Sequence, residues 1–339
     1  MAANSVTDSN AATTQGHNFP PVRACIFDMD GLLIDSEDAY TRVTNIILNE
    51  NGRPDLPWSI KAQLQGRPGP SAGKIFRAWA QLPITEEAFL ERQRELQRDM
   101  FKHCKPLPGV VDMLNSLAAA HTDADRKKIR LALATSSHGR NYDIKTAHMK
   151  EMFTVFPEKQ KIVGDDERIP KGRGKPLPDI YLLALQTINE QIRSEGANER
   201  DILPGECLVF EDSVPGAESG RRAGMRVVWV PHPGLLDVYK DRVEEVLAGR
   251  TGEHDENDST HHGSEPLPGS PGKVGELNDG WGERLNSLED FDYRKYGIVV
   301  RAGETSGRSG QDSKPDQGGH EDNLTPVPVF EKPPASKLS

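Results

Sequence analysis

Four strand-length apolar runs constrain this chain most, because three of them end abruptly in carboxylates or hydroxyls. Ala24 to Phe27 runs into Asp28-Met29-Asp30-Gly31, Ile129 to Ala134 into Thr135-Ser136-Ser137, and Cys207 to Phe210 into Glu211-Asp212. Arg226 to Val230 is the fourth. Runs that are apolar on consecutive residues, several of them rich in β-branched side chains, suit parallel strands covered on both faces. Helical spacings separate them, as at Val110/Val111, Leu114 and Leu117, or Ile180, Leu183, Ala184 and Ile188. This alternation predicts an α/β fold with a doubly wound parallel sheet.

One interval breaks the alternation. From Glu37 to Lys105 the pattern is helical throughout: Glu37 to Asn51, a short helix after Ser59, another after Ser71, and Thr85 to Cys104 with Phe89, Leu96 and Met100 on one face. The division predicted is a core of residues 21–36 and 107–240 with a small helical cap at 37–106. Open α/β sheets bind ligands beyond the C-terminal ends of their strands, which is where such an insertion would sit as a lid.

The rest of the chain is compositionally different. Residues 1–20 and 302–339 read as disordered tails and 241–283 as a low-complexity loop, typified by His254 to His262, which offers too little apolar surface to offset the entropy of ordering it. Within 284–301, Leu285, Leu288 and Phe291 have a spacing that could return the chain to the core. The insertion at Thr122 to Lys128 falls between helix and strand. Pro326 to Pro334 reads as flexible filler or as an extended ligand for a partner domain.

With 42 Lys and Arg against 52 Asp and Glu, the net charge of −10 argues against nucleic-acid binding, since no basic cluster goes beyond short pieces like Lys171 to Lys175. Cys25, Cys104 and Cys207 are too few and too far apart for a disulfide framework or zinc cluster. No apolar run suits a membrane span, and the N-terminus lacks a secretory or transit pattern. The terminal Ser336-Lys337-Leu338 is displaced by Ser339 from the position a peroxisomal signal needs. A cytoplasmic monomer is expected, with the nucleus also open.

The polar strand ends carry the chemistry. Asp28 and Asp30, two residues apart, with Asp212 from another run, form a hard oxygen set suited to Mg²⁺. Lys175, with hydroxyls and backbone N–H groups after Ala134, forms an anion site. A cation site and an anion site on one rim point to phosphoryl chemistry. Each feature has a plainer reading alone: Asp-x-Asp as a solvated turn, Thr135 as a helix-cap hydroxyl. Lys171 and Arg173 compete with Lys175, and Asp179 reads as a helix N-cap. Ser136 is favoured over Ser137 as a phosphate contact.

Phe27 to Asp35, Leu133 to Ser137, Gly174 to Tyr181, and Val209 to Ser213 followed by Gly216 and Ala223-Gly224-Met225, resemble in order the four motifs of haloacid-dehalogenase-like phosphatases. The resemblance spans residues 24 to about 231 and implies a Rossmann-like core with a helical cap after the first motif. It implies that Asp28 is the nucleophile, forming an aspartyl-phosphate, and Asp30 the general acid and base. It further implies Mg²⁺ held by Asp28, Asp212 and the Asp30 backbone carbonyl, phosphate held by Thr135, Ser136 and Lys175, and Glu211 touching the metal through water.

Within the superfamily, the pseudouridine-5′-phosphatase group is the nearest resemblance, through Tyr40, Leu32-Leu33, Ala134 to Ser137 and Gly164-Asp165-Asp166. The β-phosphoglucomutases carry a histidine where this chain has Tyr40, so hydrolysis is expected rather than mutase activity. In the cap, Tyr40 and Arg67 are candidate substrate contacts, although Arg67 also reads as a solvated loop residue. The expected partner is a small phosphorylated metabolite such as pseudouridine 5′-phosphate. The alternatives are a sugar-phosphate or glycerol-phosphate phosphatase and, in a different class, a non-catalytic phosphate-binding scaffold.

Overall fold

The computed structural model describes residues 19–196, 199–252 and 274–300, all within one compact unit, Met1–Glu304. Strands β1 (Ala24–Phe27), β3 (Arg130–Ala134), β4 (Lys161–Ile162), β5 (Cys207–Glu211), β6 (Arg226–Trp229) and β7 (Gly282–Arg284) make a six-stranded sheet of order β4-β3-β1-β5-β6-β7. Every neighbouring pair is parallel. A separate antiparallel pair joins β2 (His121–Thr122) to β8 (Ile298–Val299), so the Thr122 to Lys128 insertion starts in a small ribbon of its own.

Side chains alternate across the sheet, as a pleated strand requires. Cys25, Phe27, Leu131, Leu133, Leu208, Phe210 and Val228 face one core, which is closed by helix α5 (Val110–Ala118) and by Leu288, Phe291 and Tyr296. Ala24, Ile26, Ala132, Ala134, Cys207, Val209, Val227 and Trp229 face the other, under α8 (Asp179–Ser194) and α9 (Val214–Arg222). With both faces covered, the strands have no polar side to show, which explains their unbroken apolar sequence. The three cysteines are buried free thiols. Among the described residues no helix is long and apolar enough to cross a membrane.

Between β1 and α5 the chain forms α1 (Ser36–Glu50), α2 (Trp58–Leu64), α3 (Gly69–Ala80) and α4 (Glu86–Met100), the last capped by the Thr85 hydroxyl accepting from Ala88 N. These helices have a small core of their own around Leu48, Phe76, Ala80 and Phe89. Their two connections to the sheet are pinned side by side. Asp35 N donates to Lys105 O at 3.0 Å, Lys105 N to Asp35 Oδ1 at 2.6 Å, and Leu107 N to Leu33 O at 3.1 Å. Helices α6 (Gly139–Thr146) and α7 (Lys150–Phe153) follow β3, and α10 (Pro233–Tyr239) and α11 (Val243–Ala248) follow β6.

The assignment of 241–283 to a low-complexity loop does not match the structure at either end. Residues 243–248 form α11 with Val246 and Ala248 buried, Arg221 pairs with Asp279, and Gly282 begins β7. The charged residues among Val243, Val246 and Leu247 mask a helical apolar spacing in averaged composition. At the N-terminus, Phe19 stacks edge-on to Trp281 with centroids 5.8 Å apart, and Pro20 O accepts from Arg226 at 2.6 Å, so these two residues belong to the fold rather than to a tail. The remainder of the N-terminal tail, His254 to His262, residues 302–339 and the Pro326 to Pro334 piece lie outside the described residues.

Candidate active site

Register brings the polar strand ends together. Phe27 pairs with Leu133 on one side and Phe210 on the other, so Asp28, Thr135 and Glu211 emerge on one rim. Gly31, at φ +79°, turns the chain away from β1, and a Cβ there would lie 2.1 Å from Asp212 Oδ2. Only glycine satisfies both the left-handed backbone and that approach. Above the rim is a cleft of about 710 Å³ whose walls include Asp28, Asp30, Tyr40, Arg67, Thr135, Ser136 and Asp212.

Lys175 Nζ lies 2.5 Å from Asp28 Oδ1, 2.5 Å from Glu211 Oε1 and 3.2 Å from Ala134 O. Its rival Arg173 is held by Asp179 through bonds of 2.6 and 2.8 Å. Asp179 is therefore not the N-cap of α8; Pro178 occupies that position, and the Asp179 carboxylate is drawn to the guanidinium instead. Glu211 spends its other oxygen on Asp212 N, Ser213 N and Ser213 Oγ at 2.9–3.0 Å, and Tyr181 OH donates to the first at 2.7 Å. With both oxygens taken, Glu211 holds Lys175 in place.

Asp30 is surrounded by donors. Ser36 Oγ reaches its Oδ1 at 2.5 Å, Ser137 Oγ its Oδ2 at 2.6 Å, and Lys145 Nζ forms an ion pair with Oδ1. Thr135 Oγ1 is 3.5 Å from Oδ2 and accepts from Ser137 N at 3.1 Å. Ser137, not Ser136, is thus bonded to Asp30, whereas Ser136 Oγ bonds Gly66 O in the cap at 3.2 Å. Lys145 is wholly buried, and its Nζ also contacts Tyr40 OH at 2.9 Å and Ser137 Oγ at 2.7 Å. Tyr40 packs edge-on to Phe101 at 4.7 Å, and Arg67 Nε donates to Gln63 O at 2.8 Å.

Burial, set against the Lys175 charge and reinforced by Glu211 and Asp30, pushes the Asp28 pKa up to about 7. Burial with Glu211, Asp28 and Glu37 raises that of Asp212 well above the ordinary range. For Asp30, burial is outweighed by Lys145, Ser137 and Ser36, which keep it below the usual carboxylate value. For Lys145, burial works against the charge, but Asp30 and Tyr40 more than offset it and raise the pKa. The rim therefore pairs one carboxylate held ionised with two that resist ionisation until positive charge arrives.

Sequence reasoning missed Lys145, Ser36 and Gln65. Lys145 falls at the buried end of α6, where its neighbours read as a helix of mixed polarity, so only the tertiary placement brings it to Asp30. Gln65 is the C-cap residue just after α2, and its Nε2 donates to Asp212 Oδ2 at 2.5 Å.

Residues 22–224 match the model of the family described as haloacid dehalogenase-like hydrolase. A Saccharomyces cerevisiae protein named "probable pseudouridine-5′-phosphatase" is 40% identical over 277 residues, covering 82% of this chain and 98% of that protein. The (DL)-glycerol-3-phosphatase 2 of Arabidopsis thaliana is 32% identical over 240 residues, covering 70% and 90%. A crystal structure of a HAD family hydrolase from Deinococcus radiodurans, with bound phosphate and sodium, aligns at TM-score 0.46 and 25% identity over 63% of this chain and 82% of that one. The parallel sheet, the three polar strand ends gathered on its rim with Lys175, and the family match over residues 22–224 lead to one assignment: the chain is a phosphatase of the haloacid dehalogenase-like hydrolase family.

Proposed function

We propose that the protein is a Mg²⁺-dependent phosphomonoester hydrolase that works through an aspartyl-phosphate on Asp28. The observation that carries this reading is the 2.5 Å contact of the buried Lys175 with both Asp28 and Glu211 at the floor of a cleft. A lysine fixed there offsets the repulsion between a carboxylate and a phosphate, about 4 kcal/mol for unit charges ~4 Å apart at an effective dielectric of ~20.

Asp28 Oδ attacks phosphorus as the P–O bond to the substrate alcohol breaks, and Asp30 gives that alcohol its proton. Asp30 then takes a proton from water as the water oxygen attacks phosphorus and the Asp28–phosphorus bond breaks, which restores the carboxylate. In the arrangement described, Asp30 accepts from Ser36, Ser137 and Lys145, which suits the base half of the cycle. The acid half requires those bonds to loosen when substrate enters. Thr135, with backbone N–H groups after it, faces the transferring phosphoryl group.

Among the described residues no three His, Cys, Asp or Glu side chains converge on one point. The set that the family resemblance implies needs only two carboxylates, Asp28 and Asp212, with the Asp30 backbone carbonyl. The fit is supported by the raised pKa values of both carboxylates, which burial and negative neighbours leave short of positive charge. When bound, Mg²⁺ supplies Lewis-acid charge that lets nucleophile and phosphate approach.

For the substrate we propose a nucleoside-sized monoester, pseudouridine 5′-phosphate first. The cleft of about 710 Å³ is more than glycerol phosphate fills, and the cap lines it with Tyr40 and Arg67. Comparing kcat/KM for pseudouridine 5′-phosphate, uridine 5′-phosphate, glycerol phosphate and 2-deoxyglucose 6-phosphate tests this. Preference for either of the last two contradicts the substrate proposed and leaves the phosphatase standing. Isomerisation of β-glucose 1-phosphate without phosphate release would contradict hydrolysis.

A further inference from the structure

The cap touches the expected metal carboxylate directly. Gln65 is 5% exposed and reaches Asp212 Oδ2 through Nε2 at 2.5 Å. Its Oε1 is buried with no hydrogen-bond partner among the described residues. The side chain is not adrift, because its backbone is clamped on both sides. Gly66 takes φ +75° with its Cα so close to Ser213 that a Cβ would lie 2.2 Å from that hydroxyl, and Gly66 O accepts from Ser136 at 3.2 Å. At the other end of α2, Trp58 stacks on His232 of the core with centroids 4.6 Å apart, and Lys61 Nζ lies 4.4 Å over the Trp58 ring. The amide is thus placed against Asp212 by a helix anchored to the core at both ends.

A neutral amide at this position does what a charged group could not. It fixes the orientation of a buried carboxylate by donating to one oxygen without cancelling the negative charge a cation needs. Its free oxygen is an acceptor that has given up water without gaining a donor, a cost that proteins avoid unless a donor arrives. The hydration shell of a divalent cation beside Asp212 is a source of such donors. Groups that orient metal-ligating carboxylates commonly control affinity as strongly as tenfold or more.

We propose that Gln65 is a positioning residue through which the cap controls divalent-cation affinity: it orients Asp212 through Nε2 and presents Oε1 to the hydrated ion. This rests on the Mg²⁺-dependent reading above. Because coupling between sites is reciprocal, the cation in turn holds α2 against the core.

The test titrates MgCl₂ into the full chain by calorimetry without substrate, for the wild type, Gln65→Met, which keeps the length and loses both polar groups, and Gln65→Ala. Unfolding is followed by circular dichroism without metal to establish that each variant folds. The expected result is a Kd raised about tenfold in both variants. Hydrogen exchange across residues 58–66 reads the reciprocal effect: Mg²⁺ slows exchange in the wild type and has little effect in Gln65→Met. A folded variant that binds Mg²⁺ within about twofold of the wild type, or more tightly, overturns the proposal and leaves the phosphatase reading untouched. A wild-type protein with no Mg²⁺ binding overturns the metal-dependent reading itself.

Discussion

Lys175 Nζ and Asp28 Oδ1 are separated by 2.5 Å in space and by 147 positions in the chain. Burial works against the Lys175 charge, yet Asp28 and Glu211 more than offset it and raise its pKa above that of an ordinary lysine. Removing it strands two buried carboxylates. Lys175→Met is expected to cost about 3–5 kcal/mol of stability as well as nearly all turnover, since breaking one partner of a buried pair leaves the other uncompensated. Chemical denaturation with a phosphate-release assay checks both. A variant of native stability would mean that the pair does not hold as described.

Lys145→Met separates positioning from charge balance on phosphate. Lys145 touches Asp30, Tyr40 and Ser137, so its loss frees the Asp30 carboxylate. A fall in kcat on the order of a hundredfold is expected, the scale of general acid–base assistance. Tyr40→Phe removes one partner of Lys145 and should cost far less. Steady-state kinetics of the two variants decides it, and equal losses would contradict the ranking.

Metal binding should strengthen with pH. In the metal-free protein Asp28 holds its proton up to about 7, above the ordinary aspartate value of 3.8, and Asp212 is shifted in the same direction. A carboxyl whose folded pKa is raised contributes stability below its unfolded pKa and loses it as pH rises through the folded one. The metal-free protein therefore loses this stability between the ordinary aspartate range and about pH 7. The cation must displace those protons, so Mg²⁺ should raise Tm more above pH 7 than below pH 6. Scanning Tm with and without Mg²⁺ across that window tests the sign; a larger effect on the acid side would contradict it.

The order of sheet, insertion and rim was legible because each rests on local signals. Consecutive apolar residues marked β1, β3, β5 and β6, and the abrupt polarity after Phe27, Ala134 and Phe210 marked where the strands end. Gly282 to Arg284 escaped notice because a three-residue edge strand of mixed polarity has no period to read. Lys145 and Gln65 escaped for a different reason. A lysine inside a polar helix and a glutamine at a helix end look solvated until long-range packing buries them. Asp179 shows how local rules mislead, since its position before an apolar helix suggested a cap while Arg173 claimed its carboxylate.

Trimming within 254–272 is expected to leave kcat unchanged, because the entropy of a loop varies slowly with its length. Removing 243–248 or 279–284 should not be tolerated, since Val246 and Ala248 are buried and Gly282 to Arg284 pair with β6. Phosphate release and thermal melts of the three deletions distinguish these outcomes.

Asp28 is expected to carry the phosphoryl group between substrate and water. Substrate labelled in its phosphate is mixed with excess enzyme, quenched in acid within a turnover, and the protein digested for peptide mass spectrometry. Label is expected on the peptide containing Asp28 in the wild type and on none in Asp28→Asn, with no turnover by that folded variant. Label on another residue, or substantial phosphate release by Asp28→Asn, would contradict it.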